Sequence, residues 1–207
     1  TVLHLYPIAQ LELSPKENLI QTKDNLEYRL IYGSYPNIVT GDNIAGRSYL
    51  EQIVGSYLYK DVAELGEVRK PKTLTFLLKL LAFQIGKEVS LTELGAQLEL
   101  HKDTVARYLF YLEESFVICS LGGFSRNLRK EISKQDKYYF YDNGIRNALI
   151  ENFNPIALRN DVGELWENYL FMERIKKQEY IGPKANNYFW RTYDKKEIDL
   201  VEERDGK

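Results

Sequence analysis

The chain has 207 residues, 44% of them hydrophobic, with 28 basic and 30 acidic side chains. This length and apolar content suit one large or two small domains with a real core. A single cysteine, Cys119, excludes an intrachain disulfide and fits a reducing cytosol; with only His4 and His101 beside it, a structural zinc site from Cys and His is excluded as well.

The first forty residues read as the end of something larger. Thr1 to Pro7 is a short strand-like run entering a proline turn, and the amino terminus has neither a basic region nor a small-residue cleavage site of a signal peptide. Gly33-Ser34-Tyr35-Pro36 is a second turn, where Pro36 biases Tyr35 away from helix. From Ile44 to about Glu64 the apolar residues Leu50, Ile53, Val54, Tyr57, Leu58 and Val62 recur at helical spacing. Gly55 weakens that helix, and Gly66 is placed to stop it.

The middle is the most legible part. Pro71 suits the first turn of a helix running to Ile85, ended by Gly86. The apolar run inside it, Leu74 to Phe83, is broken by Lys79 and is far too short to span a bilayer. A cytoplasmic chain with no membrane partner is the expectation. Ser90-Leu91-Thr92-Glu93 is a capping box opening a short helix, with Leu91, Leu94 and Leu98 on one face. A third helix is expected from about Asp103 to Ser115, with Val105, Leu109, Leu112 and Phe116 as its inner stripe. Phe110 lies off that stripe, which implies a neighbouring segment covering the helix. Val117 to Leu121 then reads as a strand, Gly122-Gly123 as a turn, and Phe124 onward as the return strand. Three helices followed by a β-hairpin is the order of a winged helix-turn-helix.

Charge gives that region some meaning. Residues 71–149 carry 11 basic and 9 acidic side chains, between flanking segments of net −2. Arg107 is the best candidate on the third helix for reading a base edge or a phosphate, with Lys102 and Thr104 suited to phosphates at its amino end. Arg126, Arg129 and Lys130 follow the expected hairpin and could flank a duplex. Asp103, Glu113 and Glu114 oppose phosphate, so a protein-docking role for the same module stays open.

Lys137 to Tyr141 reads as an aromatic-rich strand running into Asp142-Asn143-Gly144. Turn chemistry favours Asp142 as the cap of the next helix over a catalytic carboxylate. Gly163 to Asn168 opens a helix extending to about Lys177. Tyr188 to Arg191 is a strand, with Glu197 to Val201 as its antiparallel neighbour. Glu197 and Asp199, two apart on a strand, share a face, and Asp205-Gly206 is a hairpin signal leading to a strand that this sequence does not contain. Carboxylates on a helix and a strand, here Glu167 and Asp199 with Glu197 second, suit hard oxygen coordination of magnesium. The alternative for these residues is a solvated helix face and a charged strand edge.

Taken together, these motifs make a resemblance nameable. The chain resembles the carboxy-terminal part of a bacterial and archaeal family of AAA-type ATP-binding proteins. The carrying segments are Leu5-Tyr6-Pro7-Ile8, Gly33 to Pro36, Tyr57 to Val62, Thr104 to Glu113, Tyr138 to Gly144, Gly163 to Asn168 and Glu197 to Val201. The resemblance implies a mixed α/β (α+β) fold: a winged helix-turn-helix followed by a truncated restriction-endonuclease-like (PD-(D/E)XK) core. It divides the chain into residues 1–70, the end of the ATPase module and a connecting helix; 71–130, the winged helix; and 131–207, a partial nuclease-like domain. No Gly-x-x-x-x-Gly-Lys-Ser/Thr loop is present, so ATP and magnesium are expected of the parent and no cofactor of this chain. Glu167, Asp199 and Glu197 then stand as an incomplete catalytic set, with Glu167 and Asp199 as metal ligands. The expected partners are duplex DNA, the chain's own ATPase module and a second copy of itself. Three roles follow from these residues: a DNA-binding accessory region, a truncated metal-dependent nuclease, or an interaction module coupled to the ATPase.

Overall fold

Strand β2 (Lys137–Phe140) is buried at every position, because side chains alternate on a strand and both faces of this one are covered. Tyr138 and Phe140 enter the larger core, where they join Leu77, Leu81, Leu109 and Leu112 from the helices. Tyr139 points the other way, into a smaller core of Leu121, Phe171, Met172 and Phe189. The computed structural model describes residues 4–41, 43–58, 71–125, 135–192 and 196–204.

The sheet is mixed. Strand β1 (Ile118–Gly123) pairs antiparallel with β2, Ile118 opposite Phe140 and Leu121 opposite Lys137. β3 (Asn186–Arg191) runs parallel to β1 through Gly122–Tyr188 and Gly123–Phe189. β4 (Glu197–Glu203) is antiparallel to β3, and the order β2-β1-β3-β4 leaves β4 at an edge. Together with the helices this is a mixed α/β chain.

Three of the helices form the middle of the sequence as expected. α5 (Pro71–Phe83) is followed by Gly86 at φ +71°. α6 (Leu91–Leu98) is capped by Ser90, whose hydroxyl accepts from the Glu93 N–H at 3.3 Å. α7 (Lys102–Glu114) buries Val105, Leu109 and Leu112 completely or nearly so. Phe116, the fourth residue of the expected stripe, lies past the helix end at φ +53° and is 43% exposed. Between α5 and α6 the chain runs beside β2: Gly86 N–H donates to Tyr138 O at 3.2 Å and Val89 N–H to Asp136 O at 2.9 Å.

Three expectations are corrected here. Gly122-Gly123 is strand, not turn, because β3 lies alongside and engages both residues. The return strand is therefore not at Phe124; β1's antiparallel partner begins at Lys137. Residues 4–6 form no strand, and Ile8 N–H instead donates to Ser34 O at 2.8 Å.

The remaining helices flank this middle segment in the sequence. They are α1 (Gln10–Leu13), α2 (Leu19–Tyr32), α3 (Pro36–Thr40) and α4 (Asn43–Gln52), the last continued as a π-helical stretch, Ile53–Leu58. α8 (Asn143–Leu149) is capped by Asp142, as its turn chemistry predicts: the carboxylate accepts from Gly144 N–H at 2.8 Å and Ile145 N–H at 3.2 Å. α9 (Val162–Ile181) is the longest and carries the site. Residues 59–64 of the expected 44–64 helix, Arg126, Arg129 and Lys130, and the Asp205-Gly206 turn lie outside the described residues.

Candidate functional site

Rotation of α9 about its axis is set by Asn168, which treats the end of β2 as a neighbouring strand would. Its Oδ1 accepts from Phe140 N–H at 2.8 Å, and its Nδ2 donates to Phe140 O at 2.9 Å and to Asn143 Oδ1 at 2.7 Å. These buried groups leave nothing unpaired, and they place the preceding residue, Glu167, over Lys137 and Tyr139. Both of those sit on one face of β2 because they are two residues apart.

Four charged groups meet there. The Lys137 ammonium, only 3% exposed, is ion-paired with Glu197 and lies 3.5 Å from Glu167 Oε1 and 3.7 Å from Asp199 Oδ1. Its Nζ also stands 5.2 Å over the Phe189 ring. Tyr139 donates its hydroxyl to Glu167 Oε1 at 2.6 Å. Burial raises the Tyr139 pKa, and the bond to Glu167 raises it further. Burial likewise lifts Glu167 above the usual carboxylate range, against the pull of Tyr139 and Lys137. Arg191 reaches this group from β3, 3.9 Å from Glu197 and 2.9 Å from Glu88.

The structure thus brings Glu167, Glu197 and Asp199 to one point and puts a lysine there. Sequence reasoning missed Lys137, reading it only as the first residue of an aromatic-rich strand. The signal was its two-residue spacing from Tyr139 at the head of an apolar strand. Among the described residues no three His, Cys, Asp or Glu side chains are arranged so as to hold a metal ion between them; the carboxylates' shared counter-charge is the ammonium. As they stand, these residues form a lysine-centred ion-pair cluster.

Beside the cluster is a cleft of about 580 Å³. Its wall on α9 is the Gly163, Trp166, Glu167, Leu170 face, and Tyr139, Asp199 and Leu200 close it from the sheet. Gly86 approaches so closely that a Cβ there would stand 3.0 Å from Glu167 Oε1.

The candidate DNA contacts stand elsewhere. Lys102 and Arg107 are exposed on α7 and Thr104 is half-buried. Asp103 and Glu114 share that exposed surface, and Phe110 is 55% exposed, so no described segment covers the helix there. Glu113 is engaged by β1, its Oε1 accepting from Ser120 N–H at 3.0 Å. Among the described residues, no helix is long and apolar enough to cross a membrane.

Residues 23–155 match the model of a family described as "Domain of unknown function (DUF8612)", and residues 162–207 that of "Domain of unknown function (DUF4143)". The first covers well over half of the sequence, so the chain belongs to the DUF8612 family. It is 26% identical over 177 residues to the uncharacterized protein Rv2008c of Mycobacterium tuberculosis, covering 84% of this chain and 39% of that protein. The uncharacterized protein Mb2031c of Mycobacterium bovis matches to the same extent. An uncharacterized protein of Haemophilus influenzae is 22% identical over 209 residues, covering 96% of this chain and 49% of its own length. The chain therefore spans two-fifths to half the length of these curated relatives. No solved structure matches it.

Proposed function

We propose that this chain is an accessory region of a larger AAA-type ATP-binding protein and contacts duplex DNA through a winged helix. One observation carries the reading. α5, the segment paired beside β2, α6, α7, β1 and β2 follow one another in winged-helix order. The connection between the antiparallel neighbours β1 and β2 holds Arg126, Arg129, Lys130 and Lys134 against the single acid Glu131 within residues 126–134. That is where such a module presents its wing to phosphates. Lys102, Thr104 and Arg107 on α7 supply the second contact surface. Its ATPase module, with ATP and magnesium, belongs to the parent, a cytoplasmic prokaryotic protein.

Fluorescence anisotropy with a labelled duplex across a salt series tests this. Binding is expected to be weak and to tighten at low salt, because each neutralised phosphate adds roughly −0.9 to the slope of log K against log salt. Replacing Arg107 and Arg126 with alanine should weaken binding and flatten the slope by about 2. Equal affinity in parent and double variant removes the reading.

A second reading has its own observation. Phe110 is exposed on an α7 surface where Lys102 and Arg107 are offset by Asp103 and Glu114. An apolar side chain on a charge-neutral helix face suits a protein partner better than phosphates. Loss of partner binding in Phe110→Ser, with DNA affinity absent from the parent, would establish it.

A further inference from the structure

We propose that the cleft beside Lys137 binds a small organic amine or amidine carried on an aromatic or aliphatic body. The volume of about 580 Å³ lies within the range of small-molecule sites. Apolar groups, chiefly Ile85, Trp166, Leu170, Phe171 and Leu200, supply most of the lining. Trp166 and Leu170 are 39% and 47% exposed although they stand one turn apart on the same helix face. An apolar body covering them would remove that surface from water.

Charge selects the head group. Of the lining residues, Glu164, Glu167 and Asp199 carry carboxylates and only Lys87 an ammonium. Lys87 is itself 62% exposed and 3.8 Å from Glu164, a pair that solvent screens. Lys137 does not restore the balance, since its one charge is shared among Glu167, Asp199 and Glu197. Both described partners of Glu167, Tyr139 and Lys137, meet Oε1, and Glu167 itself lines the cleft. Gly86 has no side chain to cover it.

A cation entering here gains a partly desolvated carboxylate, where attraction exceeds that in bulk water, and an indole face at the rim. A divalent ion would have to displace the Lys137 ammonium to reach the same carboxylates. A monocation with an apolar body need only sit beside it. Anions are repelled.

The probes are phenethylamine, 2-phenylethanol and phenylacetate, one apolar body with a positive, neutral or negative head. Each is titrated into the protein by calorimetry and by tryptophan fluorescence. Saturable phenethylamine binding at least about tenfold tighter than 2-phenylethanol, with none for phenylacetate, is expected. Glu167→Gln should weaken phenethylamine about tenfold and leave 2-phenylethanol unchanged. Asp199→Asn, whose parent side chain is 64% exposed, does the same without disturbing buried structure and serves if the Glu167 variant unfolds. Equal affinity for amine and alcohol overturns the proposal, as does absence of saturable amine binding.

Discussion

The backbone N–H of Ser34 donates to Asp142 Oδ2 at 2.7 Å across 108 residues of sequence. One carboxylate thus caps α8 and pins the Gly33–Pro36 turn to the sheet. Space for this contact exists only because residue 33 is glycine. It sits at φ +76°, and a Cβ there would fall 1.9 Å from Asp142 Oδ1. Gly144 completes the fit from the other side, since a Cβ on it would lie 2.1 Å from Tyr32 O.

Gly33→Ala is therefore expected to destabilise the chain by more than about 3 kcal/mol, combining left-handed strain with a collision against a buried carboxylate. Gly163→Ala is the control. Nothing lies within 4 Å of its Cβ position, and as an early residue of α9 it should stabilise by a few tenths up to about 1 kcal/mol. Urea unfolding of both variants measures the contrast, and similar losses in the two would contradict the packing.

Removing the shared ammonium should be costly at neutral pH and less so in acid. Lys137→Met leaves Glu167, Glu197 and Asp199 facing one another. A loss of about 1–3 kcal/mol is expected, reduced by the solvent that reaches Asp199. Burial already raises the Glu167 carboxyl and Lys137 pulls it down; without that charge it rises further, so the folded variant takes up a proton that the unfolded chain does not. Its deficit relative to the parent should narrow as pH falls from neutral to about 4. A deficit independent of pH would mean that Glu167 does not depend on that charge.

Acid unfolding should carry the mark of Asp161. Hydrogen bonds from Arg159 and Arg146 outweigh its burial and hold its pKa at about 2, below the ordinary 3.8. A depressed carboxylate stabilises the fold above its unfolded pKa and loses that contribution as pH falls toward its folded value. The window is thus from 3.8 down to about 2, and the contribution is on the order of 2 kcal/mol. Asp161→Asn should show a shallower fall of stability through that window, measured by unfolding at successive pH values. An unchanged slope would assign the acid sensitivity to another group.

The chain should not cleave DNA with magnesium. Magnesium needs near-octahedral oxygen coordination and gives up its water reluctantly, whereas the carboxylates here already share Lys137. Incubation of supercoiled plasmid with the protein and millimolar magnesium should leave it intact. Nicking that disappears in Asp199→Ala would show that the ammonium yields to the metal.

The sequence by itself determined those elements whose causes are local. Helical spacing of Val105, Leu109 and Leu112, the Ser90 cap and the Asp142 cap each depend on residues within a turn or two, and each stands where the pattern puts it. The shared face of Glu197 and Asp199 is likewise a property of any strand. Only the tertiary structure decided that Gly122-Gly123 extends a strand, because the strand that engages it, β3, begins more than sixty residues later. It alone decided that Asn168 would lock α9 against β2, and that Lys137 would meet carboxylates 30, 60 and 62 residues further along. Local patterns record which face of an element is apolar. They carry no record of which distant charge that face will bury, since this depends on the order in which strands assemble into the sheet.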